Sequence, residues 1–148
     1  MRTSRINLLT IALAVLFVLS SIVDAHARKV NWEAFSENLV KAIKSGHPGL
    51  QQSAMQRIIR YADSLDIKDA VYPLVQIFRF DDNDKVRRLA MVALAKINTD
   101  HAISYLYKYM KFEENVMIRH QCVCIINDYC KSQSPKKEHE IAELAAKL

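Results

Sequence analysis

Three side chains on one predicted helix carry the clearest capacity for chemistry. Met117, His120 and Cys124 are spaced i, i+3 and i+7, which puts them on a shared helix face. A thioether, an imidazole and a thiolate together suit copper(I) or zinc. Asn127 and Asp128 extend the same line by a turn. A single helix rarely closes a tetrahedral site, so the ordinary reading is a surface histidine beside a half-buried thiol.

The other reactive residues lack a partner set. Cys122, Cys124 and Cys130 all fall in that helix. Residues two, six and eight apart on a straight helix cannot approach within disulfide range, and an odd number leaves one thiol over. Glu138-His139-Glu140 sets an imidazole between acids, yet adjacent side chains on a helix diverge. Two glycines, Gly46 and Gly49, cannot supply a phosphate or dinucleotide loop. There is no Cys-x-x-Cys, no His-Glu-x-x-His and no serine in a nucleophile elbow. A non-enzymatic protein without a cofactor is expected.

The elements that must position these residues repeat. Leu50-Gln51-Gln52-Ser53-Ala54, Val86-Arg87-Arg88-Leu89-Ala90 and Ile118-Arg119-His120-Gln121-Cys122 each open a helix on an aliphatic residue, with a small residue four places on. Their starts lie 36 and then 32 positions apart, within the period of helical solenoids. Cys122 occupies the place of Ala54 and Ala90, the role of a small buried apolar residue. Each opening follows another amphipathic stretch, seen in Phe35, Leu39, Ala42 and Ile43, in Val71, Leu74, Ile77 and Phe78, and in Ile103, Leu106 and Met110. Asn31, Asp66, Thr99 or Asn98, and Asn115 are candidate caps, as is Ser134 ahead of Pro135. Pro73 bends its helix unless that helix starts late. The acids of Asp81-Asp82-Asn83-Asp84 sit where a helix dipole favours them. No strand pattern occurs. The spacing predicts helix pairs over about 32–64, 67–97 and 99–131, and a terminal lid helix over about 135–147 with Ile141, Leu144 and Leu148 inward.

Residues 1–27 read as a signal peptide. Arg2 and Arg5 precede an apolar stretch from Leu8 to Leu19, and Ala25-His26-Ala27 forms a small-x-small cleavage site. The rival is an uncleaved anchor, because Ile6 to Val23 is long enough to span a bilayer. The mature domain, residues 28–148, is then exported, periplasmic or secreted, and touches a membrane only if the segment persists. The chain carries a net charge of +5, but basic and acidic residues alternate without a clustered stripe, which argues against nucleic acid.

The segment from Asp82 through Val86-Arg87 to Ala93-Leu94 resembles the second helix of a HEAT repeat, and Ile118-Arg119 repeats its aliphatic-arginine pair. Ala70-Val71-Tyr72-Pro73-Leu74 is similar to the family's first helix. The first unit departs most, with Gln51 in place of the arginine and no acid in its turn. The resemblance covers about residues 32–131. It implies an all-α, right-handed α-solenoid of the HEAT/armadillo-like kind, three helix pairs plus the capping helix, acting as a protein-binding scaffold without catalysis. It also implies that Arg87 and Arg119 bind acids of adjacent turns, with Asp82 or Asp84 as the partner of Arg119.

In such a stack the second helices line the concave face, where Met55, Met91 and Val123 form an apolar row. That row either accepts a partner's helix or packs between neighbouring second helices. As a groove, its partner-binding residues are Met55, Arg88, Met91, His120 and Val123. The alternative function is exported metal binding through Met117, His120 and Cys124.

Overall fold

The computed structural model describes residues 30–133 and 137–147. Among these residues the chain is all helical, with seven α-helices and no strand. The helices are α1 (Trp32–Lys44), α2 (Pro48–Tyr61), α3 (Val71–Phe80), α4 (Asp84–Ile97), α5 (Asp100–Tyr109), α6 (Val116–Gln133) and α7 (Lys137–Lys147). The expected leader and the expected cap at Ser134 and Pro135 lie outside the described residues. No helix of the described residues is long and apolar enough to cross a membrane.

Local chemistry sets the helix boundaries. Asn83 Oδ1 accepts from the Lys85 N–H at 2.9 Å, and Thr99 Oγ1 accepts from the Ala102 N–H at 3.3 Å. Asn115 Oδ1 accepts from the N–H groups of Met117 and Ile118 at 3.0 and 3.3 Å. Each such cap satisfies an orphan donor and stabilises its helix by about 1 kcal/mol. Asn98, at φ 55°, closes α4 in the left-handed conformation, leaving Thr99 to open α5. Asp66 does not cap a helix. The chain instead passes through short 3-10 turns at Ala62–Ser64 and Lys68–Ala70, and the Asp66 N–H donates to the Ser36 hydroxyl at 3.2 Å. Helix α3 therefore starts late, at Val71, and Pro73 lies in its first turn, where no amide donor is needed.

The helices pack in a regular order. Within pairs, α1 lies on α2, α3 on α4, and α5 on α6. Between pairs, α1 touches α3 and α3 touches α5, while α2 touches α4 and α4 touches α6. Helix α7 rests on α5 and α6, continuing the row of first helices. Ala54, Ala90 and Cys122 are all buried, as their shared position predicts, because a small side chain lets paired helices approach. Ile58, Leu74, Leu94, Ile103 and Ile126 fill the space between the rows. Leu50, expected inward like Val86 and Ile118, is 52% exposed. Among the described residues no second helix precedes α2, and Leu50 is left without cover.

Helix α7 is held by both apolar and polar contacts. Ile141 and Ala145 are buried, and Lys137 Nζ lies 2.8 Å from Asp100 Oδ2. The Tyr129 hydroxyl donates to the same Asp100 carboxylate. Burial pushes the Tyr129 phenol up to about 12, with the Asp100 hydrogen bond adding to the shift.

Candidate interaction site

The apolar row of the second helices is not one surface. Met55 is 0% exposed and Met91 1%, whereas Val123 is 38% exposed. This corrects the groove reading. Helix α4 packs on α2 and α6 on α4, and both methionines belong to the buried hydrophobic core. Among the described residues no second helix follows α6, and Val123 stays open. Arg88 and His120 are exposed, so the five expected binding residues divide between core and surface.

The metal candidates share the open side of α6. Met117, His120 and Cys124 are all exposed, and Cys124 Sγ lies 3.8 Å from His120 Nδ1. Cys122 and Cys130 are buried, and burial pushes the Cys122 thiol up to about 12. Glu138, His139 and Glu140 are exposed on α7, where Glu140 pairs with Lys137 at 3.2 Å.

The turns between paired helices hold a constellation that helix-by-helix reading misses. Arg79-Phe80-Asp81-Asp82-Asn83 ahead of α4 recurs as Lys111-Phe112-Glu113-Glu114-Asn115 ahead of α6, at a spacing of 32. The recurrence was legible as basic-Phe-acid-acid-Asn at the offset that relates Val86-Arg87 to Ile118-Arg119. The geometry repeats too. Asp81 Oδ1 and Glu113 Oε1 each accept, at 2.9 Å, from the N–H of the capping asparagine two residues on. Arg87 donates to the Asp81 carbonyl at 3.0 Å and Arg119 to the Glu113 carbonyl at 2.8 Å. In the first unit, Gln51 takes the equivalent part by donating to the Ile43 carbonyl at 2.9 Å.

One ion pair ties successive turns. Arg87 donates to both carboxylate oxygens of Glu113, at 3.0 and 2.8 Å, and to Asp84 at 2.6 Å. Burial pushes the Glu113 carboxyl up, but the Arg87 hydrogen bonds and charge hold it below the usual carboxylate range. The Asn115 amide, with Arg87 adding to it, likewise keeps Asp84 low. Arg119 was expected to pair with Asp82 or Asp84. It takes the Glu113 backbone instead, because Arg87 and Asn115 already engage Asp84.

Beside this pair the turn edge is aromatic and open. Phe80 is 62% and Phe112 66% exposed, although Phe78, two residues before Phe80, is buried. The Arg79 guanidinium stacks over the Phe80 ring at 4.4 Å and over Tyr109 of the next pair at 4.1 Å. Lys111 lies over Phe112 at 5.0 Å. These rings, with Asp82, Arg87 and Glu114, border a cleft of about 560 Å³.

Compared with known proteins, the chain matches no protein-family model, no curated protein and no solved structure.

Proposed function

We propose that this chain is a short, exported HEAT-like α-solenoid, right-handed, that works as a non-enzymatic protein-binding adapter through its turn edge. Support for the solenoid comes from the two rows of successively touching helices and from the turn module that recurs at Asn83 and Asn115. Stacked units of this kind bury their apolar faces against one another and leave a continuous edge for recognition.

The observation that carries the binding site is the recurrence of Phe80 and Phe112. A single exposed phenylalanine requires no explanation. Two at the same point of successive turns, each under its own cation, form a spaced pair of the aromatic type enriched at interfaces. Asp82 and Glu114 are exposed beside them at equivalent positions. A segment that alternates apolar side chains with lysine or arginine fits this chemistry, its apolar groups on the rings and its cations on the acids. The partner is therefore a protein segment of basic-apolar character, and the buried Met55 and Met91 take no direct part.

The experiment is photo-crosslinking in the native host. A photoreactive residue is placed in turn at position 80, at position 112 and, for comparison, at the exposed Gln56 on α2. One recurrent protein captured from 80 and 112 but not from 56 supports the turn edge. Capture from 56 alone would overturn it.

A further inference from the structure

We propose that Cys124 and His120 form a soft-metal site on the outer side of α6, selective for copper(I), with the Met117 thioether as third ligand. The site is independent of the turn edge and of the adapter reading.

Geometry is the first ground. Cys124 Sγ and His120 Nδ1 stand 3.8 Å apart. With bonds of about 2.3 Å to sulfur and 2.05 Å to nitrogen, that separation corresponds to a sulfur–metal–nitrogen angle of about 120°. The two atoms are therefore close enough for one ion to bridge them. The pair's i, i+4 placement on the long helix α6 puts both side chains on one face.

The donor set is the second ground. Among the described residues no third histidine, cysteine or carboxylate joins the pair, so a zinc ion would lack its usual four protein ligands. Copper(I) is matched by thiolate, imidazole and thioether donors. Met117 stands one turn before His120 and is 70% exposed, so its flexible side chain is not held in the core. Cys122 and Cys130 are buried and do not compete. On binding, the Cys124 thiol gives its proton to solvent and the neutral imidazole coordinates through Nδ1. No electron is transferred.

A solvent-exposed ion held by a few soft ligands exchanges readily, which fits a site that accepts and passes on copper(I) by ligand substitution. The test is competition between the reduced full-length chain and bicinchoninate for copper(I), with native mass spectrometry of the same samples. The wild-type chain is expected to withhold one copper per chain. Cys124→Ser should abolish this while the far-ultraviolet circular dichroism is unchanged. Loss of a direct ligand costs at least what loss of a supporting residue costs, so His120→Ala and Met117→Leu should weaken binding by about 10-fold or more. Cys122→Ala should bind as wild type. Retention by Cys124→Ser, or unchanged affinity in His120→Ala, would overturn the site. A species with two chains per copper would overturn its assignment to one chain.

Discussion

Arg87 on α4 grips Glu113, in the turn ahead of α6, through two parallel hydrogen bonds of 3.0 and 2.8 Å, and the Glu113 side chain is only 3% exposed. One residue thereby links the turn of the second helix pair to the turn of the third. Removing Arg87 leaves the Glu113 carboxylate buried without a counter-charge, whereas removing Glu113 leaves Arg87 still paired with Asp84. Arg87→Ala is expected to destabilise by about 3–5 kcal/mol and Glu113→Ala by less, while Arg87→Met with Glu113→Leu should cost much less than Arg87→Ala. Urea unfolding of the three variants measures this directly.

The same pair makes stability depend on acid. The folded-state pKa of Glu113 is depressed, so its contribution is complete above its unfolded value of about 4.3 and is lost as pH falls through the lower folded value. Asp84, also depressed, acts in the same direction. The midpoint of urea unfolding should hold level down to about pH 5 and then fall. Glu113→Gln should start lower and fall less steeply. An identical slope in the variant would show that other carboxylates govern the acid limb.

Burial of Met91 gives a prediction opposite to the groove reading. Met91→Asp places a charge in a fully buried position on α4 and should abolish cooperative unfolding. Met91→Leu, close in volume, should cost less than about 1.5 kcal/mol. Arg88→Ala, on the exposed side of α4, should stay within about 0.5 kcal/mol. Thermal melts followed by circular dichroism distinguish these outcomes.

Ile141 is the most buried side chain of helix α7, at 1% exposed among its described residues. Ile141→Ala is expected to cost about 2–5 kcal/mol. Amide exchange should rise first in α7 and then in α5, the helix it covers most, before α1 and α2 respond.

Much of the helical framework is readable from the sequence, because caps and apolar stripes are local. Thr99 and Asn115 cap where their side chains predict, and Ala54, Ala90 and Cys122 are buried where the repeat puts them. Periodicity places Met55, Met91 and Val123 on a common flank, but whether a flank meets solvent depends on a neighbouring helix. Only packing decides it. The resemblance implies an acid of an adjacent turn as the partner of Arg87, and Arg87 does pair with one, but which acid it is, Glu113 at 26 residues' distance, depends on packing. Read one turn at a time, Phe80 and Phe112 carry no signal of a site. Their meaning emerges from their shared offset and from their exposure beside the buried Phe78.

The most direct test of the turn edge is a peptide-display selection on the purified chain, with affinities of the enriched peptides measured against wild type and the double variant Phe80→Ser, Phe112→Ser. Both rings are exposed, so the variant should unfold within about 0.5 kcal/mol of wild type. The expected result is a consensus that pairs apolar residues with lysine or arginine, bound at least about 10-fold more weakly by the variant, as loss of a central aromatic contact predicts. Equal affinity for both proteins, or a consensus without basic residues, would contradict the account.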